Sequence, residues 1–455
     1  MFIKATRIAL LATTLPFLST PASGQVIRHD YSVAASDGET TDMFGYSIDI
    51  DNNLAIVGAQ LDTLDDFYIG SAYIFHTVTG DQITKLTSSD GASYDQFGFA
   101  VAVEGNIAAV GAPQNFGVDF DSGAVYLFEA TTGEQIAKLI PNDATRSDRF
   151  GSSIAMSNGI IAIGASSDSD MGLSVGSAYL FDAATGTQLM KLLPSDGVRD
   201  DNFGRSIAID NNIVAVGSFH GDEFANSGAV YLFDATTGNQ IMRITPNGPI
   251  AQDDNFGSAI AMHNGLLAVG APGDDDSAPN SGSAFLFDVA TGTQLTKMVA
   301  NDPMLRDYLG TSIAINNDAV FVGTPSDNHF GIDTGSVYTF DIATGNQITK
   351  IHPNTLSDSD EFGVSLASDT NRIIVGSRKF AANGSPGGGA HIFSINPPPP
   401  CSADLTGDDL LNFFDISAFL AAFTAQDPIA DFNNDSLFNF FDISAFLIAF
   451  AAGCP

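Results

Sequence analysis

The chain has 455 residues, 53 acidic side chains against 17 basic ones, a formal charge of -36, two cysteines and no tryptophan. A field of that sign repels nucleic acid and anionic lipid and favours cations and basic surfaces, so nucleic-acid binding is excluded. Length alone would allow several domains or one large repeat array.

In chain order, residues 1–24 carry Lys4 and Arg7, the apolar run IALLATTLPFL, and small residues ending Ala22-Ser23-Gly24. This pattern predicts a signal peptide cut near Gln25, and therefore a secreted or cell-surface protein. The run is too short to span a bilayer, and no later segment is long and apolar enough. No transmembrane segment is expected in the mature chain.

Residues 25–396 are a repeat. A Phe-Gly step occurs at Phe44, Phe97, Phe150, Phe203, Phe256 and Phe362, with Leu309 in the sixth copy, at intervals of 53 residues. The closing glycine recurs in the same register at Gly58, Gly111, Gly164, Gly217, Gly270, Gly323 and Gly376. Each copy holds four β-like runs, SIAI, IVAVG, GAVYLFD and QIMRI in the fourth, rich in branched and aromatic residues and separated by turn residues. Between the first two runs stand DNN, EGN, SNG or similar, which suit tight hairpins because Asn, Asp and Gly tolerate positive φ. Four antiparallel strands per copy and no helical period predict an all-β, seven-bladed propeller. The run at His29 to Val33 lies where later copies have their fourth strand, and the seventh copy stops after its third. The N-terminal strand is therefore expected to complete the seventh blade, closing the ring and removing free edges.

The pattern FGSAIAMHNGLLAVGAP at Phe256 to Pro272 resembles the FG-GAP repeats of integrin α-subunit propellers. That family's calcium loops lie between the first and second strands. Here those connections have two or three residues, so that calcium site does not carry over.

An Asp precedes each step by two residues, at Asp42, Asp95, Asp148, Asp201, Asp254, Asp307 and Asp360. Asp can cap a turn or ligate a cation. Sameness in every copy favours the cap, because a ligand site breaks symmetry, and the repeated Phe and Gly read as inter-blade packing. The copies differ most between the second and third strands, as in AQLDTLDDFYI and APGDDDSAPNS, and alternation of strands puts these loops on one face. Loops on a rigid scaffold carry function, so candidate ligand contacts are Asp62, Asp65, Asp66, Asp119, Asp121, Asp168, Asp170, Asp274, Asp275, Asp276 and Asp333. The competing reading is a merely solvated acidic face. Tyr68, Phe116, Phe120, Phe219 and Phe330 could offer aromatic contacts there. No localised acid, base and nucleophile set stands out, and the seven His are scattered, so no catalytic residue is assigned and a non-enzymatic protein is expected.

Pro397 to Pro400 form a polyproline linker. Beyond it, DLTGDDLLNFFDISAFLAAF at Asp404 is repeated 27 residues later as DFNNDSLFNFFDISAFLIAF at Asp431, each a twelve-residue acidic loop leading into an apolar helix. Calcium takes hard oxygens from positions 1, 3, 5, 7, 9 and 12 of such a loop. These are Asp404, Thr406, Asp408, the Leu410 carbonyl, Asn412 and Asp415 in the first loop. In the second they are Asp431, Asn433, Asp435, the Leu437 carbonyl, Asn439 and Asp442, so two calcium ions are expected. The duplicated loop-helix pattern over residues 401–455 resembles the type I dockerin domain, a small α-helical fold of paired EF-hand-type loops. The resemblance implies a cohesin-like or other scaffold or surface partner, met by positions 10 and 11 of each loop, here Phe413, Phe414, Phe440 and Phe441. The same residues could instead form the module's own core. Cys401 and Cys454 bracket the module and read as a disulfide in an exported chain.

These elements predict an exported binding or adhesion protein whose propeller meets a protein or glycan and whose C-terminal module anchors it. A polysaccharide hydrolase or lyase carried by a dockerin, and a structural spacer, are the alternatives.

Overall fold

Turn chemistry sets the blades. In the hairpins between first and second strands, Asn158 and Gly159 have φ of 53° and 74°, and Asn264 and Gly265 have 48° and 78°. This is the left-handed geometry that a two-residue turn between right-twisted strands requires. The computed structural model describes residues 27–64, 67–218, 227–248, 251–353, 355–381, 387–395, 403, 405–406, 413–432 and 437–452. Among these, seven four-stranded antiparallel sheets form the propeller. The first blade consists of Phe44–Asp51, Leu54–Ala59, Ser71–His76 and Gln82–Leu86.

The seventh blade draws on both ends of the array. Phe362–Ser368, Arg372–Ser377 and Gly389–Ile395 supply three strands, and Ile27–Val33 pairs antiparallel with the last of them, Val33 opposite Ala390 and Ile27 opposite Ile395. The expected N-terminal closure is therefore present. One added element, a two-residue hairpin of Thr63–Leu64 with Phe67–Tyr68, decorates the loop after the second strand of blade one.

The Phe-Gly step welds neighbouring blades. The backbone at Phe150 bridges in parallel to Gly123 of the preceding blade, and Phe44 bridges to Gly388 across the closing seam. Gly98 has φ of 90°, and a β-carbon there would stand 2.2 Å from the Ser71 carbonyl oxygen. Only glycine permits that approach. Phe97 is fully buried with its ring 5.5 Å from Tyr126 and 5.9 Å from Phe128. Edge-on pairs of this kind add about 1 kcal/mol to the burial of the rings themselves. Among the described residues, seven apolar clusters lie between blades, and one joins Val33, Ile374 and Ile392 of the last blade to Ile48, Ala55 and Val57 of the first.

Among the described residues after the propeller there are two helices, α1 (Phe413–Ala425) and α2 (Phe440–Ala452), with a short 3-10 turn, Pro428–Ala430, between them. Their 27-residue relation is visible in the packing. Phe419 and Phe446 stack face to face at 4.1 Å, with Ala403 and Ala430 buried beside them. No described helix is long and apolar enough to cross a membrane. The predicted signal peptide, the polyproline linker, and Cys401 with Cys454 lie outside the described residues.

Candidate functional site

The seven repeated Asp residues cap turns. Asp95 accepts a hydrogen bond from the Ala92 amide at 2.8 Å, Asp201 from Val198 at 2.6 Å, and Asp360 from Ser357 at 2.7 Å; the other four copies do the same. Burial pushes the Asp42 carboxyl up to about 6, against the pull of the Glu39 amide. These groups hold the chain's entry into each Phe-Gly step.

The long-loop face is less open than its composition suggests. Asp62, Asp168 and Asp274, expected as ligand contacts, are buried. Each is the core of a lock around a cation on the fourth strand. Lys85 Nζ lies 2.6 Å from Asp37 and 2.7 Å from Asp62, and the Tyr73 hydroxyl donates to both carboxylates at 3.0 Å. Lys191 meets Asp143, Asp168 and Asp170 at 2.7 to 2.8 Å, and Tyr179 donates to Asp168. Lys350 meets Asp302 at 3.0 Å and Asp327 at 2.6 Å beside Tyr338. Lys138 binds Asp90, with Asn115 in place of the inner carboxylate. Arg243 pairs with Asp196, and Lys297 with Asp274 and Asp276.

The electrostatics follow from this enclosure. Burial alone would raise the Asp168 carboxyl, yet hydrogen bonds from Lys191 and the Asp170 amide hold it below the usual range. Burial would likewise lower Lys191, and its three carboxylates raise it instead. Burial and the charges of Asp62 and Asp37 push the Tyr73 hydroxyl up. The ammonium thus occupies the place between carboxylates that a bound cation would need.

Of the remaining loop candidates, Asp170 and Asp276 are outer members of these locks. Asp119 and Asp275 fold their own loops, accepting from the Phe120 and Asn280 amides. Asp121 and Asp333 sit at left-handed turn positions with φ of 53° and 49°. Asp65, Asp66 and Phe219 lie outside the described residues. Tyr68, Phe116, Phe120 and Phe330 are all exposed, together with Phe67, Met171, Leu173 and Ile332 on the same set of loops.

The lock cations were not singled out from sequence, although Lys85, Lys138, Lys191, Arg243, Lys297 and Lys350 recur at intervals of 52 to 54 residues. That period was the signal. In the seventh blade every member differs: Ser32 replaces the cation, His391 the tyrosine, Phe380 the inner carboxylate and Thr355 the outer one. Ser32 Oγ lies 2.7 Å from His391 Nδ1, and the ring packs edge-on against Phe380 at 4.9 Å. His391 Nε2 is buried without a hydrogen-bond partner among the described residues. Burial, aided by the charge of His29, lowers its pKa to about 3.

In the C-terminal module, Asp415 and Asp442 are buried. Asp415 accepts from the Thr406 amide at 3.1 Å and hydroxyl at 2.8 Å, so loop positions 3 and 12 converge. In the second loop Asp442 accepts from the Asn439 amide at 2.9 Å, and the Asn439 side chain donates to the Leu437 carbonyl. These oxygen donors fit a hard cation such as calcium in chemistry. Asp431, position 1 of the second loop, is among the described residues. Asp404, Asp408, Leu410, Asn412, Asn433 and Asp435 lie outside the described residues. No group of three or more His, Cys, Asp or Glu that could hold a metal occurs among the described residues. Phe413, Phe414, Phe440 and Phe441 are 74%, 68%, 72% and 68% exposed. They stand apart from the core that Phe419 and Phe446 form.

Fold and repeated seam together define a seven-bladed propeller built on Phe-Gly steps. The FG-GAP repeat matches the chain seven times, over residues 31–75, 81–128, 134–181, 187–233, 239–287, 293–340 and 346–393. The chain belongs to the FG-GAP repeat family. No curated protein matches it.

Proposed function

We propose that this is an exported, non-enzymatic binding protein. Its propeller serves as a recognition platform, and its C-terminal module is a calcium-dependent, dockerin-like tether to a scaffold or surface protein. The observation that carries this reading is the pair of Phe-Phe steps at the starts of α1 and α2. Burying one such ring is worth about 2 kcal/mol, so four left in water at equivalent places favour a partner surface. Calcium would be held by Thr406 and Asp415 in the first loop and by Leu437, Asn439 and Asp442 in the second, with the remaining loop positions. It would fix the loops from which these rings project. The exposed apolar tips around Phe67, Phe116 and Phe330 support a second contact on the propeller's long-loop face.

The test is capture by the immobilised full chain from cell-surface extracts, with calcium and with chelator, followed by identification of the retained protein. One defined partner is expected, lost with chelator and lost in F413S/F414S/F440S/F441S. Turnover of a glycan substrate by the same preparation would point to the hydrolase or lyase instead.

A further inference from the structure

Seven-fold sameness marks scaffold, so positions that break it in a concave place point to a ligand. The residue after each Phe-Gly step is such a position. Tyr46, Phe99, Ser152, Arg205 and Ser258, from five consecutive blades, line one cavity of about 230 Å³. Five blades can share a cavity only at the ring's axis, so this is the mouth of the central channel on the long-loop face.

The lining is polar and carries positive charge, in a chain whose formal charge is -36. Arg149, just before the third Phe-Gly step, joins Arg205 at the wall. The six lock cations are each matched with a side-chain partner, whereas the Arg149 guanidinium makes no hydrogen bond or ion pair among the described residues. Gln96, Gln114 and Ser166 add side-chain donors and acceptors. The Tyr46 and Phe99 rings, 5.3 Å apart, give one apolar wall.

We propose that this mouth binds a hexuronate, a sugar ring bearing one carboxylate. Arg149 and Arg205 take the carboxylate, since a guanidinium fork matches its two oxygens. The glutamines and serines take ring hydroxyls, and the aromatic wall meets the ring's C–H face. A polyanion is disfavoured by the surrounding acidic surface. A single carboxylate is governed by charges within a Debye length, about 8 Å at physiological salt. The inference rests on the reading of the propeller as a recognition platform and is independent of the tether.

Calorimetric titration of the full chain in chelator, with D-glucuronate, D-galacturonate, D-glucose, D-galactose and acetate, tests it. A uronate is expected to bind at least about tenfold more tightly than its neutral hexose and than acetate, the scale of one charge-assisted hydrogen bond. R149Q should weaken uronate binding about tenfold with an unchanged circular dichroism spectrum, and R205Q should do the same. No uronate binding, equal binding of hexose or acetate, or an R149Q variant that binds as well as wild type overturns the proposal. F413S/F414S/F440S/F441S, which removes the tether's contact, should leave uronate affinity unchanged, so each reading can fail without the other.

Discussion

Blades one to six and blade seven use the same strands but different chemistry at their loop ends. In the six, a lysine or arginine on the fourth strand holds side-chain oxygens near the face. In the seventh, whose fourth strand comes from the far end of the array, Ser32 and His391 meet in an aromatic setting with Phe380 and without a lysine or carboxylate of the lock. The difference teaches that the ionic lock is not needed to form a blade. It secures loops on a contiguous chain, while closure relies on strand pairing and on burial of Val33, Ile374 and Ile392.

The largest break in this comparison should come from removing the closing strand. A chain beginning after Val33 loses one edge of the seventh sheet and should be destabilised by roughly 5 kcal/mol or more, read from denaturant unfolding. Next comes the seam that every blade shares. Gly98→Ala puts a β-carbon against the Ser71 carbonyl at a φ of 90° and should cost about 3 to 5 kcal/mol in the same assay.

The lock itself is broken by Lys191→Met, which leaves buried Asp168 without its cation. A loss of about 2 to 3 kcal/mol is expected, with part regained in K191M/D168N; an unchanged melting temperature would remove the lock from the account. Blade seven is sharpened by pH. His391 has a folded pKa of about 3, below the ordinary 6.5, so the unfolded chain binds the extra proton. Its stabilising contribution is full above pH 6.5 and is lost as pH falls toward 3. Between pH 6.5 and 4.5 the loss is about 2 kcal/mol, and urea melts of H391F should show a shallower acid slope by that amount. Asp42 has the opposite sign: with a folded pKa of about 6, its contribution is full below 3.8 and is lost as pH rises through 6. The smallest effect is Ser32→Ala, about 1 kcal/mol for one lost hydrogen bond to His391.

The blades, their hairpins and their closure were legible in sequence because each rests on local features in strict register, such as Asn158-Gly159 and the Phe-Gly step. The lock was not. Asp62, Asp168 and Asp274 look solvated by local composition, and only a lysine two strands away makes their burial tolerable. The channel mouth was missed for a related reason: Tyr46, Arg205 and Ser258 are far apart in the chain and meet only when the ring closes. In the C-terminal module the paired Phe could be read as core or as contact surface, because aromatic residues at a helix start suit either. Their exposure beside the stacked Phe419 and Phe446 separates the two roles.

The replaced lock has one more consequence, for assembly. Seven near-identical repeats can pair in the wrong order while the chain folds, and rings one blade short are a natural error. A fourth strand borrowed from another blade would bring a lysine against His391 and Phe380 with neither lock carboxylate to receive it. The strand bearing Ser32, misplaced into another blade, would strand Asp62 or Asp168 without a cation. The charge pattern thus acts as an address label, telling each fourth strand which blade it belongs to and the first strand of the array that its place is last.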